Sequence, residues 1–332
     1  MEAVTMSPPP QIMKLAGKAV EKYSLDVREL FFIQHSENIT FKAVATNRAY
    51  LLRIHSPLTK GLGTHNTDPV IVRSEMTWIN SLLRNKLPVP RPVRNKSGDF
   101  VTRVSGVDRK AVNCSLLEWL EGDPYTRDME TEDTASQMGS LAGRMHRHAS
   151  RWRPPQGFRR PIHNGDYFKR LANLLQPAVE DGRINYQDYR ALRTSIEELI
   201  QILSTIRSTR HSFGLIHGDL HRGNFLYGNS AMKVIDFSLC AFGFYAYDLG
   251  TCLANINPAL HPAFLEGYTN EFRLPKYHAR LIEGFFIASH IMTFSYWLDD
   301  PNSQEALAQR VPYIAREYAA KFNRDERFWF PE

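Results

Sequence analysis

Apolar and polar positions fall into two regimes along the chain. Over the first third they come in short β-type runs; further on they recur at helical spacing. Runs at 30–34, 40–45 and 49–54 read as strands. The polar Thr46-Asn47-Arg48 between the last two makes them a hairpin. In the third run Leu51 and Arg53 share one face, and Leu52 and Ile54 share the other. A helix over 11–23 precedes these strands. Thr67 or Asp68 is a good N-cap and Pro69 suits a first helical position. The helix they open has Val72, Met76, Ile79 and Leu83 on one side. It stops before Leu87-Pro88-Val89-Pro90, and two more strands are predicted near 100–104 and 115–120.

From about residue 130 the spacing predicts helices over 130–149, 166–175 and 185–206. A β-rich insert follows at 214–217, 225–227 and 233–236, and after it the chain reads as helical to near its end. The expected architecture is α+β and bilobed, with a small β-rich lobe over 1–120 and a larger, mainly helical lobe over 121–332.

Composition narrows the class. The chain has 332 residues, 43% hydrophobic and 23% charged, which fits a globular protein and excludes a collagen-like, coiled-coil or mainly disordered one. No run reaches the roughly 20 apolar residues that span a bilayer. The most apolar stretch, 281–292, contains Glu283 and His290. The start MEAVTMSPPP lacks the basic and apolar regions of a signal peptide. Cys114, Cys240 and Cys252 stand in no paired spacing. These features predict a cytoplasmic protein without a membrane partner. The net charge of +6 is uneven: residues 1–117 carry +8, residues 118–133 carry −6 and residues 134–165 carry +6.

The chemically informative stretch is IHGDLHRGNFLYGNSAMKVID, residues 216–236. Asp219 on a loop can accept or orient the proton of an attacking hydroxyl. Asn224 and Asp236 offer hard oxygen ligands of the kind that hold Mg²⁺ on phosphates. In phosphoryl transfer the protein mostly positions groups and neutralises charge, and these side chains suffice for the metal half of that task.

The order His217-Gly218-Asp219, Asn224, then Asp236-Phe237-Ser238 resembles the catalytic and metal loops of kinases. The HGDxHxxN form is similar to the aminoglycoside phosphotransferase and choline kinase group, and Tyr247-Asp248-Leu249 matches it too. The resemblance covers roughly residues 30–300. It implies a protein-kinase-like fold with Asp219 as catalytic base and Asn224 and Asp236 as Mg²⁺ ligands. It also implies that Arg53 stands where kinases keep a phosphate-binding Lys, with Glu75 as its ion-pair partner. Ser36 and Asn38 fall in the phosphate-covering loop, and Glu118 and Leu120 in a hinge whose backbone binds adenine. Asp248 corresponds to the residue that braces the catalytic loop. The cosubstrate implied is ATP, with GTP as the alternative, and the acceptor is a small hydroxylated molecule.

Departures from the pattern are informative. The loop at 35–40 has no glycine, Gly218 replaces the kinase Arg, and no A-P-E triplet follows. Control by activation-loop phosphorylation is therefore not expected. The intact Asp219, Asn224 and Asp236 argue against a nucleotide-binding pseudokinase, and a Ser/Thr protein kinase of the same fold is the closer alternative. His217 and His221 with Asp219 and Asp236 also admit a zinc hydrolase, but Gly218 and Gly223 break the helix that a zinc-binding pair would need. Arg144, Arg147 and Arg151 recur at helical spacing beside Trp152. No nucleic-acid module surrounds them, so a solvated face is expected rather than a nucleic-acid partner. The acidic run 121–133, just past the hinge, is a candidate attractor for a cationic acceptor. Neither pattern nor composition speaks to the oligomeric state.

Overall fold

The β-type runs of the first third do form strands. In a computed structural model, residues 8–35, 38–56, 67–105, 111–274 and 278–329 are described. They divide into two compact units. One comprises Met1–Gly122, Pro154–Arg160 and Val234–Ser238; the other comprises Asp123–Arg153, Pro161–Lys233 and Leu239–Glu332.

In the first unit helix α1 (Pro10–Val20) leads into strands β1 (Val27–His35), β2 (Ile39–Ala45) and β3 (Ala49–Ile54). Helix α2 (Pro69–Arg84) and strands β4 (Pro92–Val93), β5 (Thr102–Ser105) and β6 (Ala111–Glu118) follow. The sheet runs β1-β2-β3-β6-β4, with β5 also on β6, and its pairings are antiparallel. The β2–β3 turn closes through Ala45 N–H donating to the Arg48 carbonyl at 2.9 Å. Leu15, Ala16 and Ala19 of α1 pack with Phe41, Leu52, Ile54 and Leu116 of the sheet. Each large side chain buried there stabilises by about 1.5–3 kcal/mol.

Helix α2 starts as its sequence predicts. Asp68 accepts from Val70 N–H at 2.7 Å and Pro69 occupies the first turn. Val72, Met76 and Ile79 are buried, but Leu82 takes the fourth core position and Leu83 is half-buried. Residues 119 and 120 fall outside the strand predicted over them, because β6 ends at Glu118.

The second unit opens with strand β7 (Asp123–Pro124) and helices α3 (Glu132–Arg151), α4 (Gly165–Asn173), α5 (Gln176–Glu180) and α6 (Tyr186–Thr205). Strands β8 (Phe213–Ile216), β9 (Phe225–Gly228), β10 (Ala231–Val234) and β11 (Ala241–Phe244) come next. Helices α7 (Tyr245–Leu253), α8 (His261–Thr269), α9 (His278–Trp297), α10 (Gln304–Ile314) and α11 (Ala320–Asn323) complete it. Helices α3 and α8 lie against each other so closely that a Cβ on Gly139 would sit 1.9 Å from the Phe264 carbonyl oxygen. Strand β11 was not expected. It pairs antiparallel with β8, with Ala241 opposite Ile216, and its Ala-Phe-Gly-Phe sequence has no alternation to reveal it.

Helix α9 is mostly apolar and buried on nearly every side, with Arg280, Glu283 and His290 among its buried residues. Among the described residues no helix is long and apolar enough to cross a membrane. All three cysteines are buried free thiols.

Candidate active site

Two clusters carry the candidate chemistry, one in each unit. In the second unit β8 delivers the chain to the loop at 217–224. Gly218 there has φ +80°, and a Cβ on it would lie 2.3 Å from the Leu239 carbonyl oxygen. The arginine of the kinase pattern does not fit this backbone. Asp248, in the first turn of α7, holds the loop. Its two carboxylate oxygens accept from His217 N–H at 2.7 Å and from Gly218 N–H at 2.9 Å. His146 Nε2 lies 3.1 Å from the same carboxylate, and both side chains are wholly buried. Burial alone would raise the Asp248 carboxyl. The hydrogen bond and charge of His146, the charge of His217 and the Gly218 N–H instead bring it below the ordinary aspartate value.

Asp219 follows the braced turn and keeps a third of its side chain exposed. Asn224 donates from Nδ2 to the Asp219 backbone carbonyl at 2.8 Å and to its Oδ2 at 2.9 Å. That orientation commits the amide nitrogen and leaves Asn224 Oδ1 as an oxygen donor for a cation. His221 accepts from Gly223 N–H at 3.0 Å through Nδ1, and its Nε2 sits 3.4 Å from Asp219 Oδ2. With Nδ1 held in this way, His221 is part of the loop's own fold. Arg222 donates to Glu130 at 2.7 Å, tying the loop to the segment before α3.

In the first unit the cluster centres on Arg53. Its side chain is only 4% exposed, its Nη2 donates to Glu75 Oε1 at 2.5 Å, and its Nη1 lies 3.5 Å from Asp236 Oδ1. Strand β3 and helix α2 thus bring Arg53 and Glu75 together, and the pair also reaches Asp236. Asp236 does not end a strand as its run suggested: β10 stops at Val234, and Asp236 takes a left-handed φ of +58°. Such a conformation costs a non-glycine residue of order 1–3 kcal/mol and persists where the surroundings impose it. Asp236 Oδ1 accepts from Ser238 N–H at 3.2 Å, and nearly half of its side chain is exposed. Phe237 packs edge-on against Trp78 of α2 with ring centroids 5.5 Å apart.

The neighbours keep this cluster's charge in check. His55 is buried, and desolvation with the charges of Arg53 and Arg160 holds it well below the usual histidine value, so it stays neutral at pH 7. Arg160 was missed by sequence reasoning. It is buried, donating from Nη2 to the Ser238 carbonyl at 2.5 Å and from Nη1 to the Ile71 carbonyl at 3.2 Å, and so clamps the 236–238 segment to α2. It lies in the basic stretch 134–165, beyond the arginines expected on a solvated face. Arg159 pairs with Asp68 and Arg147 with Glu271, so part of that run is structural. No local pattern signals this, because the partners are far away in sequence.

The remaining candidates are placed as follows. Asn38 is buried just before β2, and among the described residues its Oδ1 has no hydrogen-bond partner. Ser36 lies outside the described residues. Glu118 pairs through its side chain with Arg48 at 3.1 Å and Arg91 at 3.5 Å. The backbone N–H groups of Glu118 and Trp119 go to Arg91 and Ala49, and Leu120 N–H makes no such bond among the described residues. Part of the acidic run is structural. Glu130 binds Arg222 and the Asn257 N–H, and Glu132 and Asp133 sit in the first turn of α3, where the helix dipole favours them.

A β-sheet unit with an Arg–Glu pair and a helical unit with a braced aspartate loop are the parts of a kinase-like phosphotransferase. The chain belongs to the phosphotransferase enzyme family (APH), whose model matches residues 32–281. It is 18% identical over 295 residues to the amicoumacin kinase of Bacillus subtilis (strain 168), covering 85% of this chain and 83% of that protein. Among solved structures, a microcompartment-associated aminopropanol kinase matches with a TM-score of 0.75 at 22% identity, covering 94% of this chain and 97% of the other. The amicoumacin kinase hAmiN, in complex with AMP-PNP, Ca²⁺ and Ami, matches with a TM-score of 0.74 at 20% identity over 95% and 94% of the two chains. The fold is therefore the α+β fold of kinase-like phosphotransferases.

Proposed function

We propose that the chain transfers the γ-phosphoryl group of ATP to a hydroxyl of a small molecule. The observation that carries this reading is the 217–224 loop: Asp219 is held by Asn224 on a turn braced by both oxygens of Asp248. Residues 1–120 would serve as the nucleotide lobe and residues 121–332 as the catalytic and acceptor lobe. Asp219 accepts or orients the acceptor hydroxyl proton. Arg53, positioned by Glu75, neutralises phosphate charge. Leu120 N–H is the hinge group left for the adenine edge, and Asn38 belongs with the phosphate-covering segment. Asn224 Oδ1 and the Asp236 carboxylate are the oxygens that would hold Mg²⁺, a donor set of the right hardness. When bound, the metal screens the phosphate charge during transfer.

The acceptor is read as a hydroxylated amine. A kinase named for aminopropanol, a molecule with both groups, is among the structures with the same fold. The free thiols fit a cytoplasmic setting. The test is Mg²⁺-dependent ATP consumption by the full chain over a panel of aminopropanol, amicoumacin, aminoglycosides, choline, homoserine and a generic protein. A phosphorylated small hydroxyl compound is the expected result. Phosphate appearing only on the protein would favour a protein kinase, and nucleotide binding without turnover on any acceptor would favour a pseudokinase.

A further inference from the structure

A cavity lies wholly within the helical unit. It measures about 770 Å³, within the usual range of small-molecule sites. Among the described residues its charged lining is Arg207, Arg273, Arg280 and Arg327 against Glu198 and Asp325, an excess of two positive charges. Arg207 follows α6, Arg273 follows α8, Arg280 lies in the first turn of α9 and Arg327 follows α11. Strand β8 runs from beside this cavity to the 217–224 loop. At about 3.3 Å per residue, the path from Ser212, which lines the cavity, to His217 is about 17 Å.

Arg280 shows that the cavity is built rather than incidental. Its side chain is 91% buried, since 9% is exposed. It donates from Nη2 to the Phe322 carbonyl at 2.6 Å and stacks on the Phe322 ring at 3.6 Å. Its acidic neighbours are loosely placed, Asp325 at 3.4 Å and Glu198 at 4.0 Å, and both are exposed. Among the described residues, Nη1 of this buried guanidinium has no hydrogen-bond partner. A buried cationic donor left this way carries a desolvation cost that an anion would remove. Arg207 and Arg273 make no ion pair among the described residues. Ile202, Ile206 and Leu274 add an apolar wall beside these charges.

We propose that this cavity binds a small phosphate monoester, its phosphate held by the arginines and its organic part laid on Ile202, Ile206 and Leu274. Guanidinium forks match phosphate oxygens in geometry, and the net positive lining selects an anion. The proposal does not rest on the phosphotransferase reading, because the cavity shares no residue with the candidate active site.

Calorimetric titration of the full chain tests it, with phenyl phosphate and inorganic phosphate as probes at fixed ionic strength. Phenyl phosphate is expected to bind saturably, one per chain, and more tightly than inorganic phosphate. Arg207→Gln and Arg273→Gln replace exposed side chains that make no ion pair among the described residues, so each variant is expected to keep the parent thermal midpoint. Each should weaken phenyl phosphate binding about tenfold or more. No saturable binding, equal affinity for the two probes, or unchanged affinity in both variants would overturn the proposal.

Discussion

The two clusters are held in different ways. Around Arg53 the groups that hold the structure are themselves charged side chains with candidate roles: Arg53, Glu75 and Asp236 contact one another directly. In the 217–224 loop the groups that brace the backbone are separate from the candidate base. Asp248 and His146 are wholly buried and grip backbone N–H groups, while Asp219 stays partly exposed. The first arrangement couples stability to charge at the site. The second lets the Asp219 carboxylate change with little effect on the fold.

That contrast sets the expected effects. The largest is for Asp248→Ala, which leaves two backbone N–H groups and His146 without their buried partner. It should cost about 3–5 kcal/mol in urea unfolding. The ionised Asp248 contributes stability at pH values above the ordinary aspartate value, near 3.9. Because its folded value is lower, that contribution is lost as pH falls through the folded value. The variant's unfolding should lack this acid-side component. If it unfolds like the parent across pH 2–6, the loop is not held this way. Next is Glu75→Gln, which keeps the shape but removes the buried carboxylate that Arg53 Nη2 donates to, while the contact of Nη1 with Asp236 stays. A loss of about 3 kcal/mol is expected, together with weaker nucleotide binding by fluorescence titration. Loss of stability with unchanged nucleotide affinity would separate the pair from the phosphate site. The smallest effect is for Glu118→Gln. Its pairs with Arg48 and Arg91 are solvent-exposed, so thermal unfolding should shift by no more than about 0.5 kcal/mol.

Sequence legibility followed the range of the interactions. Strand β3 matches its expected bounds because alternation is a local signal, and α2 begins where Asp68 and Pro69 place it. Strand β11 was invisible because all of its residues are apolar or glycine and its partner β8 lies 25 residues earlier, counted from Ile216 to Ala241. The Asp236 backbone was misread because Val234-Ile235 looks like a strand that continues, whereas the chain turns left-handed there. At the site, Arg53–Glu75 and the Asp248 brace were legible only through the family pattern, since each joins distant segments. Arg160 was not legible at all: it departs from no local pattern, and its partner Ser238 is 78 residues away. The charge runs misled in a related way, because Glu130 and Arg159 serve ion pairs that net charge does not show.

Asp219→Asn tests the central claim most directly, by quench-flow or steady-state phosphoryl transfer beside a nucleotide-binding titration. The amide keeps the shape of a partly exposed side chain, so folding and ATP affinity should stay within error of the parent. Turnover should fall by about 10²–10⁴-fold, the range of a lost general base. Turnover at the parent rate, with nucleotide binding intact, would contradict the account.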